Sequence, residues 1–156
     1  MIEVVLYEPE IPQNTGSVAR LCAATKTPLH LIKPLGFSLE DRYLKRAGLD
    51  YWPHVNLTVW ESFADFTAAR PGSRLVAATA GNRGHAAAPY HQLAYGRDDA
   101  LVFGTESRGL PESLLEAAQA LVRIPIWGQV RSLNLANAAS VVLYAALRHV
   151  GELDGK

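Results

Sequence analysis

The chain has 156 residues, with 49% hydrophobic and 19% charged, a composition that excludes a charge-rich disordered polymer and predicts one domain over 1–156. A core of that size buries roughly two thirds of the surface the unfolded chain exposes. Fifteen Lys+Arg balance fifteen Asp+Glu, so no whole-molecule field draws in nucleic acid or an anionic membrane, and any RNA affinity must come from local patches.

The opening "MIEVVLYEPE" has an acid at position 3 and too short an apolar run for a signal peptide or a membrane span, so the chain is expected to begin directly in the fold. Short β-rich runs then alternate with helical patterns: "IEVVLY" (2–7), "LHLIK" (29–33), "LTVW" (57–60), "RLVAATA" (74–80), "ALVFG" (100–104) and "VRIPI" (122–126). Such alternation predicts an α/β fold, a mostly parallel sheet flanked by helices. Ser38 with Asp41, and Ser62 with Asp65, have the spacing of a capping box. Pro111 suits the first position of a further helix, and the last helix is predicted from about Asn134 to His149, stopping near Gly151. The single cysteine, Cys22, rules out an intrachain disulfide and fits a reducing cytoplasm. The five histidines show no HxxxH or HExxH spacing, so no metal site is expected.

Parallel α/β sheets bind ligands at the carboxyl ends of their strands, so the loops there are where chemistry is sought. The first of them, "EPEIPQNTGSVAR", carries neither GxGxxG nor GxxxxGK[ST], which removes the two common nucleotide-binding signatures. In the helix that follows, Val18, Leu21, Cys22 and Thr25 form one buried stripe. Gly16 and Arg20 share the opposite face, where open backbone below a guanidinium suits an RNA phosphate or a reacting hydroxyl; a solvated surface arginine is the plain alternative.

"GTESRGL" (104–110) offers two glycines for close ligand approach, with Glu106 and Arg108 as its charged members. Glu106 reads most simply as a carboxylate that pins the loop. "RIPIWGQVRSLNLANAA" (123–139) places Ser132, Leu133 and Asn134 just before the last helix, with Asn134 or Ser132 as N-cap. Asn137 and Ser140 continue a run of small polar residues that leaves room for close packing, and Tyr144 with Val141 suits a subunit contact. "DRYLKRAGLDYWPH" (41–54) puts Arg42, Lys45 and Arg46 on one helical face near Tyr51, Trp52 and His54, a pattern that serves RNA through phosphate contacts and stacking and that also occurs as a plain solvated face.

Taken in order, "LYEPEIPQNTGSVARLCAAT", "RAGLDY", "LVFGTESRGLP" and "IPIWGQVRSLNLANAASVVLYAA" resemble the motifs of the SPOUT methyltransferases, ribose 2′-O branch, over nearly the whole chain. The resemblance implies a carboxyl-terminal deep trefoil knot, which local sequence rules would not propose because true knots are almost absent among proteins. It implies S-adenosylmethionine as cofactor, held by Ala78, Thr79, Gly104, Ile124, Ser132, Leu133 and Asn134. It implies a homodimer acting on the anticodon arm of tRNA, at the ribose of the wobble nucleotide (C34/U34) in leucine isoacceptors; the compact length favours that branch over related rRNA enzymes, which often carry an extra RNA-binding domain.

The resemblance marks Arg20 for activating the ribose hydroxyl, with Ser132 and Asn134 expected to complete the catalytic set; Arg20 and Arg108, together with Arg42, Lys45 and Arg46 of the basic face, are the candidate RNA contacts. A guanidinium stays protonated at neutral pH and is a poor base, so Arg20 is expected to stabilise developing oxyanion character and grip a phosphate. Thr105, where relatives often have proline, is expected to loosen its turn; Leu133, where they often have methionine, preserves approximate size. Another tRNA or rRNA position, or a non-catalytic RNA-binding module, remain the alternative readings.

Overall fold

The structure is a computed structural model that describes every residue except 82 and 83 and, within the "RAGLDY" segment, the side chains of 48–50. Seven strands form one sheet: β1 (Glu3–Tyr7), β2 (Leu29–Ile32), β3 (Leu57–Trp60), β4 (Arg74–Ala78), β5 (Ala88–Pro89), β6 (Asp99–Phe103) and β7 (Ala120–Arg123). Their order is β3-β2-β1-β6-β4-β7-β5, and every pairing is parallel. The helices are α1 (Pro12–Thr25), α2 (Arg42–Gly48), α3 (Phe63–Ala69), α4 (Glu112–Ala117) and α5 (Leu135–His149), with a 3₁₀ segment at Leu49–His54.

Alternate residues of the central strands feed two cores, because successive side chains leave a strand on opposite faces. Val4, Leu6, Leu29, Leu31, Val76, Leu101 and Phe103 pack with Val18, Ala19 and Cys22 of α1 and Ala139, Val142 and Leu143 of α5. On the other face Val5, Ile32, Leu75, Ala77, Ala100 and Val102 pack with Phe66 of α3 and Leu114 and Leu115 of α4. Both faces are covered, which explains why the strands read as continuous apolar runs.

Polar groups inside the sheet are paired at the amino ends of the strands. Asp99 takes two bonds from the Arg74 guanidinium, at 2.8 and 2.7 Å. Glu3 is ion-paired with Arg70 and accepts from the Ser73 hydroxyl at 3.3 Å. Beside it, the Trp60 indole N–H donates to Nδ1 of buried His30 at 3.0 Å.

Three local expectations change and one holds. Ser38 does not cap α2: Asp41 does, accepting from the backbone N–H groups of Tyr43 (2.8 Å) and Leu44 (3.2 Å), so the acid itself sits at the helix start. Ser62 caps α3 as its spacing predicts, accepting from Asp65 N–H at 3.1 Å. The last strand runs 120–123 rather than 122–126, since Pro125 has no N–H to continue a ladder. Gly16 is not open backbone: it is buried, a Cβ there would run into Ala47 Cβ and stand 3.0 Å from the Leu44 carbonyl oxygen, and its role is to let α2 lie against α1.

Candidate functional site

A cavity of about 540 Å³ opens at the carboxyl ends of β4, β6 and β7, within the roughly 300–1,000 Å³ typical of small-molecule sites. Ala78 and Thr79 reach it from the end of β4, Gly104 to Leu110 from the loop after β6, Ile124 and Ile126 from the end of β7, and 131–135 from the approach to α5. All seven residues that the resemblance assigns to a cofactor therefore line one space, with Glu106 and Arg108. Ala138 and Val142 of α5 line it as well, and this accounts for small residues early in that helix: a bulkier side chain at 138 would fill the cavity.

The loop after β6 is a tight hairpin. Thr105 and Gly109 exchange backbone bonds at 3.2 and 2.9 Å, and the Thr105 hydroxyl accepts from Arg108 N–H at 3.0 Å. Threonine thus closes this turn rather than loosening it. A Cβ at Gly104 would fall on the Gly109 backbone and 2.5 Å from the Leu110 nitrogen, so only glycine allows the hairpin to fold back over the strand end.

Two carboxylates tie that hairpin to the loop after β1, each accepting from the other's segment. Glu106 accepts from the backbone N–H groups of Glu10 (2.8 Å) and Ile11 (3.1 Å) and from Asn14 Nδ2 (3.4 Å). Glu10 accepts from Ser107 through its backbone N–H (3.0 Å) and its hydroxyl (2.7 Å), and these bonds hold the Glu10 carboxyl below the ordinary carboxylate range. Asn134 extends the network to a third element: its Oδ1 caps α5 by accepting from Ala136 and Asn137 N–H, while its Nδ2 donates to Asn14 Oδ1 at 3.0 Å.

Ser132 and Leu133 lie on the exposed rim, Leu133 with 38% of its surface open. Residues 125–133 make no hydrogen bond among the described residues. Arg20 stands apart. It is exposed, its guanidinium lies 4.8 Å from the centre of the Tyr51 ring, and it does not line the cavity of its own chain. The basic face of α2 is partly occupied: Lys45 pairs with Glu40 at 2.5 Å and Arg42 lies over Tyr43, while Arg46 has no ion-pair partner among the described residues. Trp52 and His54 divide, Trp52 packing against the core and His54 remaining exposed. No group of three or more His, Cys, Asp or Glu is placed to hold a metal ion among the described residues. No helix among them is long and apolar enough to cross a membrane.

Asn14, Glu10 and Ser107 are the members of the site that sequence reading misses. Asn14 leaves one usable trace, a polar residue in the first turn of an otherwise well-patterned helix; Glu10 and Ser107 leave none, since their pairing spans 97 residues.

A wholly parallel sheet with one cavity built from the loops after its central strands defines an α/β ligand-binding protein of the kind that works at strand ends. Residues 1–144 match the model of the SpoU rRNA Methylase family, and the chain belongs to that family. It is 49% identical over 150 residues to the tRNA (cytidine(34)-2'-O)-methyltransferase of Methylovorus glucosotrophus (strain SIP3-4), covering 95% of each chain. Among solved structures, one concerned with the 2-OH methylation of C/U34 on tRNA has a TM-score of 0.90 and 52% identity over 97% of both chains. An AdoMet-bound rRNA methyltransferase from Sinorhizobium meliloti has a TM-score of 0.85 and 27% identity, over 96% of this chain and 56% of that one.

Proposed function

We propose that this chain is an S-adenosylmethionine-dependent methyltransferase that modifies the ribose 2′-OH of nucleotide 34 in tRNA, as a single domain over 1–156, in the cytoplasm and as a homodimer. The observation that carries the reading is the coincidence of that cavity with high identity to a C34 2′-O-methyltransferase over almost all of both chains. The family's name mentions rRNA, but the relative at 49% identity and the solved structure at 52% both concern position 34 of tRNA, which favours tRNA.

The residues present fit the cofactor. Ala78, Ile124, Leu135 and Val142 give apolar wall for a nucleoside, Thr79, Ser132 and Asn134 give polar groups at its edge, and the glycine at 104 keeps the hairpin backbone close. When bound, S-adenosylmethionine supplies a sulfonium methyl that is already electrophilic. The protein's task is alignment, and holding a hydroxyl in line with its target recovers roughly 7–11 kcal/mol of a bimolecular barrier. Glu106, Asn14 and Asn134 hold the three loops in register for this. Arg20 supplies positive charge to the developing oxyanion and the neighbouring phosphate. The knotted path implied by the family is supported by β7 and β5 lying outside β4 while α5 returns across the sheet to pack with α1.

The homodimer reading is supported by two features. Asn137 and Tyr144 are exposed on α5, Tyr144 at 46%, and Arg20 does not line the cavity of its own chain, whereas a twofold mate would bring it to a neighbouring ribose. Mixed Arg20→Ala and Asn134→Ala subunits then regain about a quarter of wild-type activity, because half the dimers are mixed and one of their two sites is intact. No recovery rejects the shared site. Incubation of unmodified leucine tRNA with labelled methyl donor, followed by nucleotide mapping, tests the whole reading: label on the ribose of nucleotide 34 is expected, and label elsewhere or none overturns it.

A further inference from the structure

Trp127 is the most exposed large hydrophobic side chain described, with 93% of its surface open, so its indole is left almost uncovered by the described residues. Isolated exposed leucines are ordinary, but an aromatic that forgoes 150–250 Å² of burial is a different matter. Trp127 follows Ile126, which lines the cavity, and precedes Arg131, which lines it too. Three cations line this cavity, Arg108, Arg123 and Arg131; none has an ion-pair partner among the described residues, while Arg108 also acts from a distance on the Glu10 carboxyl. The stretch 125–133 carries no hydrogen bond that would fix the ring in place.

We infer that Trp127 is a positioning residue on which the base of the methylated nucleotide stacks. The inference rests on the proposed RNA methyltransferase activity and adds how the nucleotide is held. The local charge decides the occupant: three arginines around an open ring complement a base and its flanking phosphates. Stacking is indifferent to hydrogen-bonding pattern, so such a platform accepts a cytosine or a uracil alike. Arg108 and Arg131 would take the flanking phosphates.

The test is a double-mutant cycle on the full chain with a tRNA transcript carrying C34 and an identical transcript abasic at 34, which keeps the reacting ribose. Trp127→Ala is expected to raise KM for the C34 transcript roughly tenfold, within the range of about 5- to 150-fold for loss of one stacked base, and to leave kcat within about twofold. Trp127→Phe restores most of the loss. On the abasic transcript Trp127→Ala changes nothing further. RNA quenches the emission of the exposed indole in the wild type and does not in Trp127→Phe, where only Trp52 and Trp60 remain.

Equal KM for wild type and Trp127→Ala overturns the inference, as do additive effects in the cycle. Equal weakening of S-adenosylmethionine binding by calorimetry, or a changed oligomeric mass in Trp127→Ala, assigns the ring to the cofactor or to a second copy and overturns it too. Absence of label at nucleotide 34 with wild-type enzyme rejects the proposed activity itself, a result read without any variant.

Discussion

Asn134 and Asn14, 120 residues apart, meet side chain to side chain at 3.0 Å, and through this contact the cap of α5 is joined to the carboxylate of Glu106. Each asparagine uses both ends of its amide, Asn134 capping with its oxygen and donating with its nitrogen, Asn14 accepting from one neighbour and donating to the other. Glu106 is the acceptor at the end of the line and takes two backbone donors besides.

Removing the middle member separates the loops. Asn14→Ala is expected to lower unfolding stability by about 1–3 kcal/mol, the usual cost of leaving partly buried partners unsatisfied. Asn14→Asp is expected to be worse, because it faces Glu106 with a second carboxylate. Urea denaturation of the three proteins measures this, and an Asn14→Asp protein as stable as wild type contradicts the described network.

Gly104→Ala places a methyl on the Gly109 backbone, where no side-chain motion relieves it. The hairpin must move off the strand end, so S-adenosylmethionine affinity by calorimetry is expected to fall at least about tenfold, the equivalent of ~1.4 kcal/mol. Gly128→Ala, where a Cβ meets nothing, is the control and leaves affinity unchanged.

His30 gives the protein an acid-sensitive element away from the cavity. Burial lowers its pKa from 6.5 to about 4, Trp60 holds the neutral ring by donating to Nδ1, and the charge of nearby Glu3 is taken up by Arg70. The unfolded chain therefore binds a proton between pH 6.5 and 4 that the folded chain does not, and stability falls as pH falls through that window, by about 2–4 kcal/mol in all. Denaturation midpoints at pH 7, 6 and 5 check this; a flat series contradicts it.

The Cys22 thiol is buried among the residues of α1 and the sheet, which pushes its pKa up to about 12. Only the thiolate is nucleophilic, so the native protein is expected to be inert to a disulfide reagent at pH 8 and to react stoichiometrically once unfolded in urea. Fast labelling of the native state would show that the α1 face opens readily.

The basic face of α2 is expected to act unequally. Arg46 has no ion-pair partner among the described residues, and its removal should lower the slope of log K for tRNA against log salt by about 0.7–0.9 if it meets one phosphate. Lys45 must first leave Glu40, whose carboxyl it holds below the ordinary range, so Lys45→Ala costs less. Filter binding at several salt concentrations measures both; identical effects would mean the Glu40 pair does not persist in solution.

The alternation of apolar runs with helical patterns yields the parallel sheet because burial on both faces leaves nothing but apolar residues in the central strands. β5 escapes, since two residues carry no periodicity. The cavity's lining is legible through motif resemblance, whereas its bracing is not: Glu10 and Ser107 act on each other across 97 residues, and no local pattern records such a distance. Gly16 shows the opposite error, a glycine read as room for a ligand that is taken up by a neighbouring helix. Thr105 shows a third, for a hydroxyl that replaces a ring closure by a hydrogen bond is invisible until the turn is seen.

The stretch 125–133 borders the cavity yet shares no hydrogen bond with the scaffold beneath it. The exposed residues 127–130 at its crest are therefore free to vary at little thermodynamic cost, so recognition can drift or be re-engineered there while the framework that folds the molecule stays as it is.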